Sequence, residues 1–323
     1  MNIIVLGAGT FGTAIANEIS VNTSNKVLIY SRNNKKVDEI NSQNKNTSCF
    51  PNKQLTKHLQ ATSDINDISN ADIIFIALPS KVILENLSIV KPYLKDNVLL
   101  INLSKGLLAG GKTIVESIQN ELDINNVVTL KGPSFAVEVM EHADTLLTLG
   151  YTSNDQYDIV NLIMRETALH IDFTTDIRGV ELLSVMKNIY ALVLGVVDAK
   201  YNSPNTRFMI LTKAFSEIRF LLKSLGGSED TLFLACGFGD LCLTSLNDLS
   251  RNRTLGLLIG KGFFNSDYKS HSIILEGLNS IEMLHDLLDA SSKKELPIFN
   301  KLYSYFSNKE KDLEFKFDEL IDL

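Results

Sequence analysis

An α/β fold, in which a mostly parallel sheet is followed by an all-helical half, is predicted by three observations. Short apolar runs alternate with helical spacing over residues 1–178, a glycine-rich hexapeptide stops the first run, and convincing strands end at Phe173. Strands that alternate with helices read as βαβ units, whose crossovers leave neighbouring strands parallel.

The elements follow in order. Met1 to Leu6 is apolar and ends in glycines, which reads as a fully buried strand. Thr10 to Ser20 has Ile15 and Ile19 one helical turn apart, so a helix follows. Val27 to Tyr30 is a second strand, and Lys35 to Ser42 a second helix. Ile73 to Leu78, stopped by Pro79, is a strong buried strand, and Val98 to Ile101 is another. A helix runs from Thr113 to Leu122, and strands are expected at Val127–Leu130, Thr145–Leu149 and Leu169–Phe173. From Gly179 onward the spacing is helical, with no Pro/Gly/Ser-rich linker between the halves, no internal repeat and no low-complexity tract. The expected domains are therefore 1–178, binding a nucleotide, and 179–323, binding a substrate. The charged tail from Lys309 to Leu323 is expected as a terminal surface helix.

Bulk properties narrow the function. The chain has 323 residues, 45% of them hydrophobic, and a formal net charge of −7. That length suits two domains, and an acidic balance makes the chain a poor candidate for a duplex-binding protein, which would want a basic stripe. Small-molecule ligands are expected, with local basic clusters still able to hold phosphate. Cys49, Cys236 and Cys242 have neither zinc-site spacing nor an even count, which suits a reducing compartment. The five histidines are scattered, and no metal site is expected. The N-terminus lacks a basic signal-peptide region, and the most apolar later stretch, Val180 to Val197, is interrupted by Lys187 and Asn188. A soluble cytoplasmic protein without a membrane span is the expectation; a homodimer is allowed but not fixed by the sequence.

Gly7-Ala8-Gly9-Thr10-Phe11-Gly12 fits G-x-G-x-x-G between a strand and a helix. In that context Gly7 permits the tight turn, Gly9 lets a pyrophosphate approach the backbone, and Gly12 lets helix and strand pack closely. The helix N-terminus offers its amide groups and positive dipole end to phosphate. The loop reads as a Rossmann-type nucleotide site, with NADP or NAD as the expected cofactor; a merely structural glycine turn is the alternative. A site strict for NAD would end the second strand in a carboxylate, to hold the ribose 2′-hydroxyl. Here the chain reads Tyr30-Ser31-Arg32-Asn33, so Arg32 is available to a 2′-phosphate; a solvated arginine on a turn is the alternative.

Chemistry is carried elsewhere. Lys187 lies in a helix apolar on most faces, where burial disfavours an ammonium and suits the amine to proton transfer. Asn188 beside it can orient a hydroxyl; a lysine that snorkels to the surface is the alternative. Ser104-Lys105-Gly106, Gly132-Pro133-Ser134-Phe135-Ala136 and Pro79-Ser80 each follow a strand, and so share the rim where open α/β sheets bind ligands. Asp240 sits in a glycine-bracketed turn, able to orient Lys187 or to cap a helix. Ser250-Arg251-Asn252-Arg253 brings two guanidinium groups together as a phosphate clamp, or as a solvated basic turn.

These segments, in order, resemble the bacterial NAD(P)-dependent glycerol-3-phosphate dehydrogenase family over nearly the whole chain. Gly132-Pro133-Ser134-Phe135-Ala136-Val137-Glu138 and Ser250-Arg251-Asn252-Arg253, arranged around Met186-Lys187-Asn188, with Gly239-Asp240-Leu241 and Leu275-Glu276-Gly277, are the specific part. The resemblance implies a Rossmann domain and a helical C-terminal domain of the 6-phosphogluconate dehydrogenase type. It implies reversible reduction of dihydroxyacetone phosphate to sn-glycerol 3-phosphate, a precursor of phospholipid backbones. By the same resemblance Lys187, Asp240 and Lys105 are catalytic. Lys105, Gly132, Ser134, Lys187, Asn188, Asp240, Thr244, Ser250, Arg251 and Asn252 would bind substrate. Gly7, Gly9, Thr10, Phe11, Gly12, Arg32, Asn33, Pro79, Lys105, Ala136, Arg251, Ile274 and Glu276 would bind cofactor. The chain departs from the family pattern at Thr212-Lys213-Ala214 and at Gly277-Leu278-Asn279-Ser280. Two alternatives stand beside this reading: a related dehydrogenase for another hydroxy substrate, and a nucleotide-binding homologue without turnover.

Overall fold

The computed structural model describes residues 1–263, 272–307, 313–315 and 317–318, without the side chains of residues 272–278. The chain forms two compact units, one of Met1–Leu108 with Lys112–Ile177, the other of Ala109–Gly111 with Arg178–Leu323.

The first unit is built on one eight-stranded sheet, in the order β3-β2-β1-β4-β5-β6-β7-β8. Its strands are β1 (Asn2–Leu6), β2 (Lys26–Tyr30), β3 (Gln60–Thr62), β4 (Ile73–Ile76), β5 (Leu99–Asn102), β6 (Val127–Lys131), β7 (Thr145–Gly150) and β8 (Leu169–Thr174). Every neighbouring pair is parallel except β6 with β7. Helices α1 (Thr10–Ile19), α2 (Asn34–Gln43), α3 (Ile83–Val90), α4 (Ile114–Leu122), α5 (Ala136–Val139) and α6 (Asn154–Met164) make the crossovers and connections.

Side-chain alternation along the central strands sorts them into two cores. Ile3, Val5, Ile73, Phe75, Leu99 and Ile101 pack in one cluster with Ile15 and Ile19 of α1. Ile4, Leu6, Ile74, Ile76 and Leu100 pack in the other, with Ile83 and Leu87 of α3 and Ile114 and Ile118 of α4. Both faces of the sheet are therefore covered, and its central strands are continuous apolar runs. Each fully buried Ile, Leu or Phe contributes roughly 1.5–3 kcal/mol against the entropy of ordering the chain.

The expected strands of this unit are present, with three differences. The Ile73–Leu78 run leaves the ladder after Ile76, where the Ser104 hydroxyl takes over: it accepts from the Leu78 amide at 3.1 Å and donates to the Leu78 carbonyl at 2.6 Å. Strand β3 was not expected; it has three residues, mostly polar, at the sheet edge. Helices α3 and α6 were also unexpected, although Ser153 and Gln156 form a capping box that announces α6.

The second unit is helical. Its helices are α7 (Ile177–Tyr201), α8 (Pro204–Ser224), α9 (Asp240–Leu246), α10 (Arg251–Gly260), α11 (Ser272–Leu287), α12 (Ala290–Lys294) and α13 (Pro297–Phe306). Helix α7 is long and apolar enough to cross a membrane by composition, but 94% of its most apolar window is buried within the protein. It is apolar on all faces because it is a core helix. Asn202, at φ 43°, ends it, and Ser203 with Pro204 starts α8. The tail from Lys309, expected as a terminal helix, lies largely outside the described residues.

Candidate active site

In the first unit the chain leaves β1 and turns through the glycine loop. Gly7 has φ +117°, and a Cβ there would fall 2.5 Å from the Ala77 carbonyl oxygen. A Cβ on Gly12 would meet the Gly7 oxygen at 2.2 Å, so this position holds α1 tight against the turn. Gly9 has nothing within 4 Å of its Cβ position; it caps α1 with no side-chain acceptor. The exposed start of α1 thus keeps amide groups for an anion, with no acidic residue in its first turn. Thr10 is exposed and Phe11 is packed against the core.

A cleft of about 380 Å³ lies beside the loop, lined by Gly7, Ala8, Tyr30, Arg32, Pro79 and Asn86 among others. It sits at the carboxyl ends of β1 and β4, where strand order reverses, which is where open α/β sheets bind ligands. Asn33 lines it too and caps α2, accepting from the Lys36 amide at 3.4 Å. Arg32 is exposed and has no ion pair among the described residues. The exposed glycine backbone, the uncapped helix start and the guanidinium at the end of β2 together fit a dinucleotide.

Lys105 lies half-buried in the loop after β5. That loop is fixed by the Asn102 side chain, which accepts from the Ser104 amide at 2.9 Å, and by the Ser104 bonds to Leu78. Gly132 ends β6; a Cβ there would fall 2.8 Å from the Leu146 oxygen of β7. Ser134 donates to the Gly132 carbonyl at 3.1 Å, and Ala136 begins α5. Sequence reasoning passed over Lys131, which is 2% exposed and donates to the Asn102 carbonyl at 2.7 Å and to the Thr129 hydroxyl at 2.8 Å. A lysine closing an apolar strand was the available signal.

In the second unit Lys187 of α7 forms an ion pair with Asp240, their side chains 6% and 1% exposed. Lys187 does not snorkel, and the opposite charge offsets the cost of burying the ammonium. Asp240 lies not in a simple turn but at the start of α9, directly after a π-helical turn at Ala235–Gly239. Such turns insert a residue into helical winding and re-aim the side chain that follows. Thr244, one turn on, donates to Asp240 at 3.4 Å. Asn188 is half-buried and reaches the Ser184 carbonyl at 3.4 Å.

The two arginines of the clamp separate. Ser250 caps α10, accepting from the Arg253 amide at 3.3 Å, and leaves Arg251 exposed and Asn252 half-buried. Arg253 turns inward instead: it is 7% exposed and ion-paired with Asp198 of α7. It also meets Asp248 at 3.0 Å and the Ser245 carbonyl at 3.1 Å. Of the two guanidinium groups, only Arg251 is therefore presented to a ligand. Ile274 and Glu276, expected to bind cofactor, have side chains outside the described residues.

The sequence matches the family model for the N-terminus of NAD-dependent glycerol-3-phosphate dehydrogenase over residues 2–157, and the model for its C-terminus over residues 176–315. The chain belongs to the NAD-dependent glycerol-3-phosphate dehydrogenase family. Within that family it is similar to a glycerol-3-phosphate dehydrogenase (NAD(P)+) of Neorickettsia sennetsu, 34% identical over 289 residues, covering 89% of this chain and 84% of that protein. One from Methanothermobacter thermautotrophicus is 31% identical and covers 96% of this chain and 94% of its own. The crystal structure of glycerol-3-phosphate dehydrogenase from Coxiella burnetii superimposes with a TM-score of 0.83 at 26% identity, covering 99% of this chain and 98% of that one.

Proposed function

We propose that this chain interconverts dihydroxyacetone phosphate and sn-glycerol 3-phosphate with NADH or NADPH. In this reading residues 1–178 form the nucleotide-binding domain and residues 179–323 the substrate-binding domain. The observation that supports it most is the buried ion pair of Lys187 and Asp240 in a chain of this family.

A reduced nicotinamide, when bound, would supply the hydride for the ketone carbon. Lys187 gives the proton that the carbonyl oxygen gains, and takes it back in the reverse direction. Asp240 keeps the ammonium in place, and Thr244 steadies the carboxylate. Arg251, with Ser250 and Asn252 at the start of α10, holds the phosphate, which supplies remote binding energy to orient the ketone. Lys105, Gly132, Ser134 and Asn188 complete the substrate contacts. Gly7, Gly9, Thr10, Phe11, Gly12, Asn33, Pro79 and Ala136 would hold the cofactor, with Arg32 available to the 2′-phosphate of NADPH. The product is the glycerol phosphate of phospholipid backbones, and the cytoplasm is the compartment in which this reading places the enzyme.

The test is oxidation of NADH or NADPH by purified protein with dihydroxyacetone phosphate, followed by the absorbance of the reduced cofactor. Turnover with at least one cofactor is expected; none with either, at high protein concentration, overturns the reading. Lys187→Ala should lower kcat by at least about 100-fold, the contribution of a positioned proton donor, while cofactor affinity stays within about twofold. Near-normal rates with weakened cofactor binding would remove Lys187 from its role.

A further inference from the structure

The carbonyl of Ala8, in the middle of the glycine loop, draws donors from behind the loop. Lys36 Nζ of α2 donates to it at 3.0 Å and Asn46 Nδ2 at 3.3 Å, with the Cys49 thiol at 3.6 Å. Asn46 is fully buried, and its amide is oriented at both ends. Its Nδ2 also donates to the Thr13 hydroxyl at 2.9 Å, and its Oδ1 accepts from the Ser48 hydroxyl at 2.8 Å. A carbonyl oxygen has two lone pairs, so three donors leave it no freedom of direction.

That direction fixes the next amide. The Ala8–Gly9 peptide is trans, so its C=O and N–H point to opposite sides of one plane. With the oxygen turned inward to Lys36 and Asn46, the Gly9 N–H is turned outward, on the exposed side of the loop. Glycine at position 9 would otherwise let this peptide rotate at little steric cost.

We propose that Lys36 and Asn46 are positioning residues for the cofactor's diphosphate, locking the Ala8–Gly9 peptide so that its N–H meets a diphosphate oxygen. The inference rests on reading Gly7 to Gly12 as the diphosphate loop. Because the diphosphate is common to NADH and NADPH, the effect is blind to whether the ribose carries a 2′-phosphate.

The experiment measures dissociation constants for NADH and NADPH by cofactor fluorescence in the wild type, Asn46→Ala and Lys36→Met, together with deuterium exchange over residues 7–13. Each variant should weaken both cofactors by the same factor, about 5- to 20-fold, as expected for one lost hydrogen bond. Loop amides should exchange faster, and in turnover the loss should appear in cofactor KM rather than kcat. A loss confined to NADPH would make Lys36 a direct 2′-phosphate ligand and overturn the proposal. A lower melting temperature with unchanged dissociation constants would reduce both residues to fold support and also overturn it. If Asn46→Ala fails to fold, Lys36→Met, a change at a half-buried side chain, carries the test alone. A wild type that binds both cofactors yet does not reduce dihydroxyacetone phosphate would refute the substrate reading, while this proposal is still decided by the binding data.

Discussion

Arg251 and Arg253 stand two positions apart on one helical turn and have opposite environments. Arg251 is exposed at the start of α10, whereas Arg253 is enclosed by Asp198, Asp248 and the Ser245 carbonyl. Removing each should therefore fail differently. Arg251→Ala should raise KM for dihydroxyacetone phosphate about 10- to 100-fold, the loss of charged hydrogen bonds to phosphate, with an unchanged melting temperature. Arg253→Ala leaves Asp198 buried with Arg207 as its remaining arginine partner, at 2.5 Å. It should cost about 1–3 kcal/mol of stability, read as a lower urea midpoint. Equal melting temperatures for the two variants would contradict this division. Residue by residue, the site was legible where a side chain conflicts with its surroundings: Lys187 is conspicuous in an apolar helix, and Asp240 among glycines. The inward turn of Arg253 was not legible, because its partner Asp198 lies 55 positions upstream on another helix.

At the scale of elements, α7 and α10 meet backbone to backbone. A Cβ on Gly195 would fall 2.2 Å from the Arg253 oxygen, and one on Gly256 would fall 2.0 Å from the Leu192 oxygen. Neither contact is with a flexible side-chain end, so the helices themselves would have to part. Gly256→Ala should cost about 1–3 kcal/mol as an overpacked contact. It should also raise KM for the phosphorylated substrate, since Ser250, Arg251 and Asn252 ride on the displaced helix. A loss of stability with unchanged substrate KM would show that the α10 start is held by other contacts. Neither glycine, one on α7 and the other on α10, carried a sequence signal that the two helices meet. By contrast, β1, β4 and β5 were plain in the sequence because a sheet covered on both faces demands unbroken apolar runs. The edge strand β3, half solvated and polar, has no such demand to display.

At the scale of the molecule, the sequence announced a mostly parallel sheet but not its one antiparallel step, β6 with β7. Pairing direction depends on where a connection returns, and no local residue pattern states that. The same holds for a long-range carboxyl on which the helical unit's stability depends. Glu217 of α8 is 5% exposed and caps α13 from another helix, accepting from the amides of Ile298 at 2.6 Å and Phe299 at 3.0 Å. Tyr190 of α7 donates to it at 2.8 Å. Burial outweighs these donors and pushes the Glu217 carboxyl up from 4.5 to about 7. The folded chain therefore keeps this proton over a pH range in which the unfolded chain has lost it. Stability from this group is fully present below about pH 4.5 and is lost as pH rises through about 7. Urea unfolding of the wild type should accordingly weaken over that window relative to Glu217→Gln, by about 3 kcal/mol at most. Glutamine cannot ionise, so its own curve lacks this component. A wild-type-to-variant gap that is the same at about pH 5 and about pH 8, near the lower end of this window and above it, would mean that the carboxyl is already ionised in the folded state and that its capping amides at least offset its burial.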